Sequence, residues 1–302
     1  MTAVPSWLWI FFTVFAAGAQ TARNAMQRDL IATLGTAGAT FVRFLYGLPF
    51  ALAFLGIVCV FSGAAPPKPH VAALAWTALG AVCQIGATGL MLAAMKEKSF
   101  VVAIAYTKTE PVQVALFGLA FLGDRVDAGL AIAIVIATLG VMVMSWPKKT
   151  GETTAQAGWR PAIYGLVSAG LFALSAIGYR AGILHLGAPN FVLGASSILA
   201  LALAIQSALI IASMLVLDRA GLAAILRAWR PSLLAGFMGA LASQFWFLAF
   251  AIDTAARVRT LALIEMIFAQ VVTKKVFRQQ TSAREFVGMA IMIAGVVLLF
   301  WN

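Results

Sequence analysis

Charge is what this chain has least of. Lys, Arg, Asp and Glu together make 10% of its 302 residues, and 63% are hydrophobic. A soluble domain cannot hide that much apolar surface, so the surrounding solvent must be largely lipid. Histidine and cysteine are scarcer still, at two each. Cys59 and Cys83 lie inside apolar runs without ligand spacing, and His70 and His185 stand alone near run ends, so no metal site and no cofactor are expected. There is no HExxH and no nucleophile elbow. A buried carboxylate pair is capable of acid–base work, but no nucleophile accompanies it, so the chain is read as a non-enzyme. The net charge of +11 is scattered over short loops rather than gathered on one face, which excludes nucleic acid as a partner. Residues 1–6 contain no Lys or Arg, so the first apolar run lacks the charged start of a signal peptide and is kept as a span.

What is present is a series of runs long enough to cross a bilayer, for which about 20 apolar residues are needed. Ten are read, at 7–27, 40–61, 71–95, 99–122, 128–146, 162–181, 191–217, 233–252, 256–277 and 283–301. The connections are short. The chain is therefore expected to be an all-α integral membrane protein. Span five closes at Trp146-Pro147-Lys148-Lys149, and the polar stretch 148–160 is the expected linker between halves 1–147 and 161–302. The halves correspond. At an offset of 155, Glu110 falls on Glu265, Ala128 on Ala283, Ile136 on Ile291, Gly140 on Gly295, Val141 on Val296 and Trp146 on Trp301. At an offset of 152, Arg28 falls on Arg180 and Leu34-Gly35 on Leu186-Gly187. Five spans per half is an odd number, so the halves must insert in opposite senses, as an inverted repeat around a central cavity. Thirteen basic residues lie in connections one, three, five, seven and nine and five in the even ones, which puts the odd connections in the cytoplasm and both termini outside.

The chemistry centres on 99–123. Lys108 and Glu110 sit near the middle of this span with Pro111 directly behind. A charge at that depth costs roughly 3 kcal/mol on insertion scales, and such groups usually face a protein interior or a wet cavity. Tyr106, Glu110 and Gln113 fall at i, i+4 and i+7 on one helix face. Lys108 is about 200° around a regular helix from Glu110, so either it pairs with another helix or the helix is irregular at Pro111. Gln20, Asn24 and Gln27 form a second such stripe, with Arg23 beside it, read either as a cavity wall or as a frayed interfacial end. Arg43 opens span two, Gln84 lies in span three and Gln244 in span eight. The substrate-binding or proton-coupling candidates are Glu110, Glu265, Lys108, Tyr106, Gln113, Gln84, Gln20, Asn24, Arg43 and Gln244. Desolvation disfavours an ionised carboxyl, the property a proton-coupled site needs. The structural alternative is that both glutamates are permanently paired with Arg43, Arg23, Lys108 or Arg259 and only fix helix register. A channel or scaffold would not need duplicated buried acids. Arg23, Arg43 and Lys108 outnumber the two acids within spans, which suits a zwitterion or organic anion better than a lipophilic cation.

These residues resemble the drug/metabolite transporter superfamily, EamA type, over nearly the whole chain. The resemblance rests on Arg43, on Pro111 within span four, on Gly123-Asp124-Arg125-Val126 where the family has Gly-Glu-Arg-Leu or similar, and on Gly140-Val141. The second half keeps Gly295-Val296, but has Met266 in place of the proline and Arg278-Gln279-Gln280-Thr281 in place of the turn. The resemblance implies ten helices in a five-plus-five inverted repeat. It also implies secondary transport, commonly export, of amino acids or other small metabolites, often coupled to protons. It transfers no substrate residues. A bacterial inner membrane and a monomer or homodimer complete the expectation.

Overall fold

The computed structural model describes residues 5–96, 107–144, 160–276 and 283–301. Tyr106, the start of span four, all but the last residue of the linker 148–160, Trp146 and the Arg278–Thr281 turn lie outside them. The described residues form twelve α-helices and no strand. An apolar chain in lipid has no water to satisfy its backbone, and a helix satisfies it within each segment. The helices are α1 (Leu8–Leu45), α2 (Gly47–Ser62), α3 (Val71–Lys96), α4 (Glu110–Phe117), α5 (Ala128–Met144), α6 (Arg160–Leu186), α7 (Phe191–Leu217), α8 (Arg219–Arg227), α9 (Trp229–Ile252), α10 (Ala255–Leu261), α11 (Glu265–Val276) and α12 (Ala283–Leu298). The stretches Ala37–Ser62, Val71–Met91, Ile163–Leu186, Phe191–Leu217 and Trp229–Ile252 are long and apolar enough to cross a membrane.

The breaks are as informative as the helices. Spans one and two were expected to be separated by residues 28–39, but these residues are helical on both sides of a single kink at Gly35, where φ is 67° and ψ 172°. Its counterpart Gly187 also has positive φ, 66°. That backbone region carries no Cβ penalty only for glycine. After Gly187, Asn190 restarts the chain as the N-cap of α7, its Oδ1 accepting from Leu193 N at 2.8 Å. Span two is interrupted at Tyr46, because Pro49 has no N–H to return to Leu45. A π turn, Gly118–Leu122, follows α4 and ends at Gly123 (φ 66°), with Asp124 N donating to Gly118 O at 3.1 Å. Asp127 then caps α5 through Leu130 N at 2.7 Å. The sequence repeat reappears as helix starts: α4 begins at Glu110 and α11 at Glu265, α5 at Ala128 and α12 at Ala283.

The chain divides into two compact units, 1–82 with 178–253 and 83–177 with 254–302. Each draws on both sequence halves. In the first unit α1 packs most extensively along α9, and α2 against α7. Gly239 leaves a notch in which the Arg23 and Arg43 stems meet, and Gly236 lies against Tyr46. The Gly178/Gly182 pair admits the backbone of α3 at Trp76, Ala73 and Gly80. Arg180 donates through Nη1 to Phe250 O at 2.8 Å and to Asp253 O, tying off the carbonyl end of α9. Charged hydrogen bonds of this kind contribute about 1.5–3 kcal/mol. Arg180→Gln should therefore lower the thermal midpoint of the detergent-solubilised protein by several degrees, and an unchanged midpoint would remove this role.

In the second unit α5 and α12 make the closest helix contact. A Cβ on Gly140 would overlap the backbone nitrogen of Met292, one on Gly295 that of Ala137, and one on Gly288 that of Met144. As one residue number rises along these pairs the other falls, so the helices run antiparallel. At the offset of 155, Gly140 corresponds to Gly295 and Ala137 to Met292, so the first two contacts are images of each other. These two corresponding helices of the two halves therefore run in opposite directions. Gly288 and Gly295, seven residues apart, are a packing seam.

Candidate functional site

The site of greatest chemical interest lies in the second unit. Thr107 is helical, Lys108 and Thr109 form a turn, and α4 starts at Glu110. Pro111 is the reason. It has no N–H to donate and its ring crowds the preceding turn, so it fits the first turn of a helix and not its interior. The second half reaches the same break without proline. There α10 tightens into a 3₁₀ turn over Ala262–Ile264 before α11 starts at Glu265. Of the two routes open to Lys108, both are taken: the helix is irregular and the lysine pairs elsewhere.

Lys108 Nζ lies 2.6 Å from Glu265 Oε1. Arg259 Nε lies 3.2 Å from Glu110 Oε1. All four side chains keep between 15% and 20% of their surface, so none is sealed off. The pairs differ in quality. Lys108–Glu265 is a true charge-assisted hydrogen bond, whereas Glu110 Oε1 is buried and accepts no hydrogen bond among the described residues. Each acid thus takes its cation from the opposite half of the sequence. The acids occupy corresponding positions; the cations do not, since Lys108 precedes Glu110 by two residues and Arg259 precedes Glu265 by six, a difference of one helical turn. Lys108 and Glu110 each sense the charges of the other three groups. The quartet sums to zero charge.

The remaining candidates divide between the two units. Gln113 turns from the acids toward α6, its Nε2 donating to Thr109 Oγ1 at 3.2 Å and to Leu166 O at 3.3 Å. It lines a cleft of about 390 Å³ with Thr109, Thr138, Leu139 and Met142. Gln84 is half-buried on α3 in the same unit. Tyr106 lies outside the described residues. In the first unit Gln20 Oε1 accepts from Trp246 Nε1 at 3.2 Å, Asn24 Oδ1 accepts from Arg23 Nη2 at 2.7 Å, and Gln244 Nε2 donates to Ser196 Oγ at 2.9 Å. Arg43 carries its guanidinium 4.4 Å from the centre of the Phe44 ring. A buried pair absent from the candidate set, Tyr179 Oη and Gln206 Nε2 at 3.0 Å, sits in this unit too. Arg259 was named among four possible partners of the two glutamates; its distance from Glu110 makes the assignment. Its sequence signal is slight: a cation six residues ahead of the duplicated acid.

Two corresponding breaks, each led by an acid, are the frame on which comparison with known proteins bears. Residues 5–146 match the model of the EamA-like transporter family. Over these residues, a little under half of the chain, the protein is similar to that family. The matched family is one of transporters, and a chain of apolar helices long enough to cross a membrane fits that class. A solved structure, described only as the crystal structure of a protein, shares the fold over 97% of this chain and 95% of its own, with a TM-score of 0.70 and 12% identity. That likeness is one of fold alone, and it carries the architecture beyond the EamA-like half. No curated protein matches the sequence.

Proposed function

We propose that this EamA-like protein is a secondary transporter of small polar metabolites, amino acids or related zwitterions and organic anions, working by alternating access with protons as the coupling ion and moving its substrate outward. The supporting observation is the neutral quartet Lys108, Glu265, Arg259 and Glu110, built where two corresponding helices are broken. Broken helices at mid-membrane are a recurring way to make transporter sites. A zwitterion exchanges into such a quartet without changing its charge: its carboxylate takes a cation and its ammonium an acid. An organic anion needs one glutamate protonated to keep the balance, which couples its movement to protons. Glu110 is the better proton carrier of the two, because no hydrogen bond holds its Oε1. Both termini outside, an inner-membrane location and a monomeric or dimeric state belong to the same proposal.

Reconstituted protein tests it. In proteoliposomes with an imposed pH gradient, flux of a labelled amino acid should follow the gradient in the wild type. Glu110→Gln should flatten the pH dependence, and Glu265→Gln should reduce flux at every pH. Unchanged flux and pH dependence in both variants would leave the quartet a structural clamp. Competition by quaternary cations alone would overturn the zwitterion and anion reading.

A further inference from the structure

The connection between α7 and α9 carries a feature that transport does not use. At 100° per residue, α8 places Leu222 and Ile225 on one side, where both are buried and Ile225 wholly so. Arg227 lies on the opposite side, Arg219 and Leu226 lie on a flank, and all three are exposed. Two contacts hold the helix in place. Tyr46 Oη donates to Ile225 O at 3.0 Å, and Asp218 Oδ1 accepts from Gly221 N at 2.8 Å. Asp218 is the one acid between residues 218 and 252, and its carboxylate serves as this N-cap. Around the helix, Val216 and Leu217 stand 80% and 83% exposed, and Trp229 and Arg230 are exposed beyond its far end. The Arg230 guanidinium lies 5.3 Å from the centre of the Trp229 ring.

We infer that α8 with Trp229 and Arg230 is a binding surface for anionic phospholipid. Arg219, Arg227 and Arg230 take headgroup phosphates, while Leu226 and Trp229 enter the boundary of the acyl chains. Charge complementarity selects this occupant: three guanidiniums stand against one carboxylate already engaged. Apolar side chains, arginines and a tryptophan together are the composition of a helix lying in the membrane interface. The planar guanidinium fork matches phosphate oxygens two at a time. Arg219 uses only Nε in its bond to Leu215 O at 2.6 Å.

The full-length protein in detergent, titrated with short-chain phosphatidylglycerol or short-chain phosphatidylcholine and read by native mass spectrometry, tests this. Basic residues near an anionic surface contribute about 1 kcal/mol each, roughly fivefold in affinity. The wild type should prefer phosphatidylglycerol by at least about tenfold. Arg219→Gln/Arg227→Gln/Arg230→Gln should lose that preference, and the corresponding triple Lys variant should keep most of it. If the triple Gln variant does not fold, Arg227→Gln alone should weaken the preference about fivefold. Equal affinity for the two lipids overturns the inference, as does a preference that survives the triple Gln substitution. Displacement of the lipid by millimolar inorganic phosphate would make this a site for a free oxyanion. A changed oligomeric state in the triple variant, with lipid preference intact, would give the surface to a second copy of the chain.

Discussion

Lys108→Met is expected to destabilise the protein by about 3 kcal/mol, and Lys108→Met/Glu265→Met to recover most of that loss. Removing one partner strands a largely buried charge, which typically costs 3–5 kcal/mol, whereas replacing both partners by apolar side chains is often neutral. The low end applies because both side chains keep 19% of their surface. Chemical unfolding in mixed micelles reads the stability, and proteoliposome flux reads the function. Transport should be absent in the single and the double variant alike. A double variant that is stable and still transports would reduce Lys108–Glu265 to a register clamp between α11 and the turn ahead of α4, and the proposed site would fall with it. The companion pair should behave differently. Glu110→Gln should cost less than Lys108→Met, since Arg259 and Glu110 meet at 3.2 Å without a hydrogen bond to Glu110 Oε1 and glutamine keeps the shape of the side chain.

The second large effect concerns the seam of α5 and α12. Gly140→Leu and Gly295→Leu should each prevent folding to a detergent-stable species, and the two alanine variants should be destabilised by about 2–3 kcal/mol. Even the first added carbon meets backbone atoms, which cannot swing away as a flexible side chain does. The two alanine variants should match within about 0.5 kcal/mol, because their contacts are images under the repeat. Gly56→Ala is the control: nothing lies within 4 Å of a Cβ there. Thermal unfolding followed by tryptophan fluorescence compares the three alanine variants with the wild type. Widely different values for Gly140→Ala and Gly295→Ala would contradict the symmetry of the seam.

Much of this was legible in the residues. Apolar runs separated by short polar turns announced helices in lipid. The recurrence of Glu110 at Glu265, Ala128 at Ala283 and Gly140 at Gly295 announced a duplicated plan, and it reappears in the starts of α4 and α11, of α5 and α12, and in the seam. Leu34-Gly35 and Leu186-Gly187 marked breaks that glycine alone adopts without strain. Pro111 marked one helix start. Nothing comparable marked the start at Glu265, because a 3₁₀ turn is a choice among hydrogen bonds that ordinary residues such as Ala262 and Leu263 allow.

Composition and spacing determined that this chain forms apolar helices suited to a membrane, that its halves repeat, and that Glu110 and Glu265 hold corresponding places in them. Those conclusions need only solvation and periodicity, which act on residues near one another in sequence. Tertiary structure alone decided which cation meets which acid. Lys108 passes over Glu110, two positions away, for Glu265, and Glu110 draws Arg259 from the other half. A helix turns adjacent residues apart, so ion pairing in a bundle is settled by which faces meet across helices, and no local pattern encodes that.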